Sequence, residues 1–142
     1  MIGIDANLLV ALAAKEHPHH SKAASMFDLE LAADEEIVLS PSVAAEFLHV
    51  VTDPRRITPA QEMADAIVWL QAWATEVAPV WLTPNDAAIE LWLKWMVEFR
   101  LGRKRILDTQ YAALLHNHNV RRLLTNNADD FRVFGVFELV TF

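Results

Sequence analysis

Met1-Ile2-Gly3-Ile4-Asp5-Ala6-Asn7-Leu8 opens the chain and decides how the rest of it reads. Two branched aliphatics bracket a glycine and then give way to an acid and an amide. That is the pattern of a buried strand ending with Asp5 and Asn7 presented at its carboxyl edge. Open α/β sheets place their ligands at that edge. Any chemistry at Asp5 therefore depends on which later residues reach the same place.

Length and composition set the frame. A chain of 142 residues fits one domain, 1–142, and can bury roughly two-thirds of its unfolded surface. A hydrophobic content of 54% with only 3 glycines favours a helix-rich packed structure over disorder or a turn-rich sandwich. The absence of cysteine excludes a disulfide framework, a thiolate zinc site and a cysteine nucleophile, and it fits a reducing compartment. The N-terminus has no basic leader region and the apolar runs are too interrupted to span a bilayer, so a soluble cytoplasmic protein with no membrane contact is expected. The net charge of −7 argues against nucleic acid, but 4 of the 12 basic side chains, Arg100, Arg103, Lys104 and Arg105, fall in one window before Asp108. The ordinary account of that window is a solvated helix end, where cations suit the helix dipole.

After the first strand, Leu8, Leu9, Ala11, Leu12 and Ala13 are spaced for a helix that starts where the strand stops. Pro18 suits the first turn of a second helix, whose buried face includes Ala23, Met26 and Phe27. His17, His19 and His20 cluster before it, with no fixed helical spacing and no carboxylate close in sequence, so they read as surface histidines rather than a metal site. Ile37-Val38-Leu39-Ser40 closed by Pro41 is a second buried strand, and a third helix follows with Ser40 or Ser42 as its cap. Glu46 stands one turn into that helix. The turn-rich Thr52–Pro59 segment precedes a helix from about Ala60 to Ala74, and Pro79-Val80-Trp81-Leu82 reads as a third strand. A long helix then runs through Phe99, with Thr83 or Asn85 as its cap and apolar residues on more than one face.

The final third carries most of the chemistry. Ile106 to Leu115 reads as a helix with Asp108 in its first turn, where the helix dipole alone would explain an acid. Arg121 to Thr125 is a short strand, and Asn126-Asn127-Ala128-Asp129-Asp130 follows it directly as a polar turn and helix cap. Val136 to Phe142 is a last strand. Five short apolar strands separated by helices imply an α/β sandwich with a mostly parallel sheet. Asp5, Glu46 and Asn127 would reach one edge of it, and Asp108 can point to the same place.

Carboxylates crowded together repel and raise one another's pKa values, and a divalent cation removes that penalty. An all-oxygen donor set with no cysteine and no nearby histidine suits Mg²⁺ or Mn²⁺. Such an ion can activate water for attack on a phosphodiester, so metal-assisted phosphodiester hydrolysis is the inferred reaction.

Four segments carry a resemblance as well: IDANLL at the start, SPSVAAEFLHVVTDPRRI, RILDTQYAALL, and LLTNNADDF near the end. Together they resemble the PIN-domain ribonucleases, in particular the VapC-type toxins of bacterial toxin–antitoxin pairs, and the likeness spans essentially the whole chain. It implies a three-layer α/β/α sandwich around a short, mostly parallel five-stranded sheet. It also implies a Mg²⁺-dependent endoribonuclease, the toxin of a type II pair, with Asp5, Glu46 and Asp108 as metal ligands. Asn127 matches the fourth site position, with Asn7, Thr125 and Asp129 as supporting polar groups and Arg100, Arg103, Lys104 and Arg105 on the RNA. An amide at 127 where the family usually offers an acid or an amide binds metal more weakly than a carboxylate would. The implied partners are an RNA substrate, a cognate antitoxin and a second copy of the chain.

Rival readings make different demands. A haloacid dehalogenase-type phosphatase also opens with a strand and an Asp but wants a second Asp where Asn7 stands. A catalytically silent PIN-like module that binds RNA or protein would keep the fold without the cation-dependent cleavage.

Overall fold

The computed structural model describes residues 1–142. Five strands, β1 (Ile2–Ile4), β2 (Ile37–Leu39), β3 (Val80–Trp81), β4 (Arg122–Leu124) and β5 (Glu138–Val140), form one sheet in the order β3-β2-β1-β4-β5. Every neighbouring pair is parallel, so the sheet is wholly rather than mostly parallel. Strands of a parallel sheet are covered on both faces, which is why β1 and β2 are unbroken apolar runs with every residue buried. Seven α-helices flank the sheet: α1 (Ala6–Ala13), α2 (His20–Ala32), α3 (Pro41–Val51), α4 (Met63–Val77), α5 (Asp86–Glu98), α6 (Ile106–Asn117) and α7 (Ala128–Arg132). They pack in two groups, α1 to α4 and α5 to α7. None is long and apolar enough to cross a membrane.

The strand order fixes where a ligand can sit. From β1 the chain moves outward through β2 and β3, then returns to place β4 on the other flank of β1. The crevice outside the carboxyl ends of β1 and β4 is thus the point where the winding reverses. Ile4 pairs with Leu124 in register, and the Asp5 amide donates to the Leu124 carbonyl at 3.2 Å, so Asp5 and Thr125 leave the sheet side by side.

Helix starts follow from capping chemistry. Asp5 caps α1 through its side chain, Ser40 caps α3 by accepting from the Val43 amide, with Pro41 in the first turn, and Asn85 caps α5 by accepting from the Ala88 amide. Two helices begin later than their sequence suggests. α2 starts at His20 rather than Pro18, and α4 at Met63 rather than Ala60, because Gln61 spends its amide on the Val51 carbonyl and holds the preceding loop against α3.

Gly3 lets α6 lie directly on the sheet. A Cβ there would stand 2.8 Å from Leu115 Cδ1 and 3.2 Å from the Tyr111 hydroxyl. Tyr111 uses that closeness, donating its buried hydroxyl to the Ile4 carbonyl at 2.8 Å, and so ties α6 to the end of β1. Far from the site, at the amino edge of the sheet, Arg122 pairs with Glu30, Glu35 and Glu138, and the N-terminal amine pairs with Glu35.

Candidate functional site

Asp5 is the anchor. The residue is only 8% exposed. One oxygen, Oδ1, accepts from the Ala6 amide at 2.6 Å, and the other, Oδ2, accepts from the Thr125 hydroxyl at 2.6 Å and from Asn7 Nδ2 at 2.8 Å. Asn7 Nδ2 also reaches Thr125 Oγ1, and its Oδ1 accepts from the Asn126 amide, so the two strand ends are laced together. Burial pushes the Asp5 carboxyl up to about 6. The Thr125 and Ala6 hydrogen bonds pull it down, while the charges of Glu46 and Asp108 push it further up.

Glu46 and Asp108 come from opposite helical groups. The Ser40 cap and Pro41 start α3 at the end of β2, which carries Glu46 to the crevice one turn later. Asp108 stands in the first turn of α6. Both are partly buried with raised pKa, Glu46 by burial and then the Asp108 charge, Asp108 by burial and then the Asp130 charge. Arg56 opposes the shift at Glu46, and Arg105 opposes it at Asp108. Asp5, Glu46 and Asp108 line one narrow cleft with Leu107, Tyr111 and Phe131 as its apolar walls. The free space there is about 10 Å³, roughly the room one water needs.

Three carboxylates facing a cleft of that size, each holding its proton more tightly than usual, form a donor set suited to a hard divalent cation. No three histidine, aspartate or glutamate side chains already converge into a closed metal cage. By the chemistry of their oxygen donors, the cleft residues fit Mg²⁺ or Mn²⁺.

The other expected site residues divide into those at the crevice and those beside it. Thr125 and Asn7 join Asp5 directly. Asn127 does not enter the carboxylate cleft. It is exposed, donates its backbone amide to Thr125 Oγ1, and lines a larger groove of about 280 Å³ with Asn7, Glu46, Arg56 and Asn126. Asp129 is exposed and paired with Arg132, on a different surface from the cleft. The acid that approaches Asp108 is its neighbour Asp130, linked through Arg105, whose guanidinium lies 3.5 Å from Asp108 and 3.3 Å from Asp130. Arg105 is therefore turned into the acidic site, whereas Arg100, Arg103 and Lys104 stay exposed outside it.

Tyr111 and Arg56 are not singled out by the sequence, and Asp130 beside Phe131 reads there more as a structural turn than as a site acid. Tyr111 sits four residues after Leu107 in an apolar run where a tyrosine looks like core, and its hydroxyl partner is distant in sequence. A helix one turn long is what turns Asp130, and not Asp129, toward Arg105.

Comparison with known proteins adds a second line of observation. The PIN domain family model matches residues 2–136. Ribonuclease VapC25 of Mycobacterium tuberculosis is 35% identical over 119 residues, 84% of this chain and 84% of its own. Ribonuclease VapC24 of the same organism is 26% identical over 135 residues, 95% of this chain and 92% of its own. The crystal structure of VapBC2 from Rickettsia felis bound to a DNA fragment from their promoter superposes with a TM-score of 0.73 at 17% identity, covering 100% of this chain and 99% of that one.

Proposed function

The chain belongs to the PIN-domain family, among the VapC-type ribonucleases, and from that premise we propose that it is an endoribonuclease toxin that cleaves RNA at the cleft of Asp5, Glu46 and Asp108. The observation that carries the reading is the meeting of those three carboxylates at the reversal point of the sheet, each with its proton affinity raised. A bound Mg²⁺ or Mn²⁺ supplies the positive charge that lowers the pKa of an attacking water and offsets charge on the phosphate.

The remaining work belongs to the chain's own side chains. Thr125, Asn7 and the Ala6 amide fix the Asp5 carboxylate, so its free lone pairs do not have to be ordered at the moment of binding. Glu46 lines both the cleft and the wider groove, so its carboxylate would meet an RNA strand that enters by that groove. Its raised pKa suits it to receive the proton given up by water. The buried Phe131 closes one wall of the cleft to solvent, which strengthens the charge interactions beside it. Arg100, Arg103 and Lys104 offer exposed charge to flanking phosphates.

The proposed setting is a cytoplasmic type II toxin–antitoxin pair, in which a cognate antitoxin covers the cleft and the toxin works as a homodimer. The likeness to a VapBC assembly supports the antitoxin. The test is incubation of the purified chain with a cellular RNA pool, with Mg²⁺ or with a chelator, followed by mapping of the new ends. Discrete ends that need the divalent ion support the reading. An RNA pool left intact by folded protein in Mg²⁺ and in Mn²⁺ would instead favour a silent binding module.

A further inference from the structure

We infer that Arg105 is the resident cation of this site, taking the place of a second divalent ion between Asp108 and Asp130 and so limiting the cleft to one. The inference rests on the ribonuclease reading above. Its starting point is a difference between Arg105 and its neighbours. Arg103, Lys104 and Arg105 form a single 3₁₀ turn, yet only Arg105 is drawn inward, leaving its side chain 23% exposed, while Arg103 and Lys104 remain in solvent. The turn is closed by Thr109, fully buried, whose hydroxyl donates to the Arg105 carbonyl at 2.6 Å. That bond fixes the backbone from which the guanidinium points at the acids.

The contacts of the guanidinium are those of a counter-ion. Nε stands 3.5 Å from Asp108 Oδ2 and Nη1 3.3 Å from Asp130 Oδ1. Nε and Nη2 are nevertheless buried without any hydrogen-bond partner. An arginine whose task is to clamp two helices normally spends such donors on carbonyls or in a bidentate fork, because buried unpartnered donors are costly. Here the two carboxylates, and no carbonyl acceptors, hold the side chain in place. Asp130 faces Asp108 across this guanidinium, and the nearby Asn127 offers only a neutral amide on the groove side, so a second ion would have to sit between those two acids, where the guanidinium already stands. A second divalent cation beside Asp108 would meet Arg105 at close range and be repelled.

The experiment is isothermal titration calorimetry of the full chain with MnCl₂, counting the ions whose binding is lost in Asp5→Asn. The wild type is expected to bind one. Arg105→Gln, which keeps hydrogen-bonding capacity but removes the charge, is expected to bind two, and Arg105→Lys is expected to return the count to one. Two ions in the wild type would overturn the inference. So would a single ion in Arg105→Gln, the result a purely structural arginine gives. If Arg105→Gln fails to fold, electron paramagnetic resonance of the wild type in excess Mn²⁺ decides. An isolated-ion spectrum at the site supports the inference, and a dipole-coupled pair overturns it. A wild type that binds no Mn²⁺ overturns the ribonuclease reading together with this one, whereas one ion in every variant overturns this one alone.

Discussion

Replacing Asp5 with asparagine should make the metal-free protein more stable while destroying its activity. The structure allows the size of that gain to be worked out. The Asp5 carboxyl rises from 3.8 to about 6 on folding. A shift of that size corresponds to about 3 kcal/mol, at about 1.36 kcal/mol per pH unit. An acid with a raised pKa takes up a proton on folding between its two values. Its contribution is therefore most favourable below about pH 4, falls as pH rises through about 6, and is a full cost at pH 7. The Asp5→Asn substitution removes that cost. It also leaves one oxygen to serve partners that now use two, the Ala6 amide on one side and the Thr125 and Asn7 groups on the other. Losing one such hydrogen bond costs about 1 kcal/mol, for a net stabilisation of about 2 kcal/mol, or roughly 4 to 8 °C in midpoint for a domain of this size. The assay is thermal unfolding at pH 7.5 in chelator and again in excess Mg²⁺. In chelator Asp5→Asn should melt above wild type. Added Mg²⁺ should raise the wild-type midpoint and leave the variant's unchanged, since only a state that binds the ion gains from it. A variant that melts below wild type in chelator at pH 7.5 and at pH 5 alike would refute the claim that Asp5 is held under electrostatic strain.

Three further outcomes bear on other parts of the molecule. Arg122→Met should lower unfolding free energy by about 2 to 3 kcal/mol in urea titration, below the roughly 3 to 5 kcal/mol of a fully buried pair because Arg122 is partly exposed. It leaves Glu30 buried and unpaired, and should not alter cleavage per folded molecule, because it lies at the opposite edge of the sheet. Gly3→Ala should cost about 1 to 3 kcal/mol in the same titration, since the new methyl meets Leu115, itself fully buried, at 2.8 Å. Changing Arg103 and Lys104 together to Gln should weaken binding of single-stranded RNA and reduce the slope of log K against log salt by roughly 1.4, at about 0.7 per lost phosphate contact. An unchanged slope would make the pair ordinary solvated surface.

Much of the fold was legible because it depends on local apolar runs. Ile2–Ile4, Ile37–Leu39 and Leu123–Leu124 are buried strands at the positions their composition suggests, and Ser40-Pro41 starts α3 as a cap and first-turn proline should. Asp108 stands in the first turn of α6, as its spacing indicates. The parts that were not legible depend on distant partners. Pro18 and Ala60 look like helix starts until the Val51 carbonyl and the His17–His19 turn claim the neighbouring amides. Arg105 belonged to a basic window of uniform appearance, and only Thr109 and the two acids separate it from Lys104. Arg122 stands within the strand read over Arg121 to Thr125, and nothing local foretells that three glutamates from separate elements converge on it. In the site itself, the order of residues showed that Asp5, Glu46 and Asp108 follow strand ends or open a helix. It did not show that Asn127 would turn to the groove while Asp130 turned to Arg105, because one short helix decides both.

If Asp5, Glu46 and Asp108 act together in cutting RNA, removing any one of them must be felt in the rate. The decisive experiment measures cleavage of the mapped RNA by wild type, Asp5→Asn, Glu46→Gln and Asp108→Asn, each confirmed folded, in Mg²⁺ and in chelator. Wild type should cut only with the divalent ion, and every single substitution should lower the rate by at least about 100-fold, about 2.7 kcal/mol of lost transition-state stabilisation. Retention of wild-type cutting by Asp5→Asn, Glu46→Gln or Asp108→Asn, or equal cutting by wild type in chelator, would contradict the assignment of these carboxylates to the reaction.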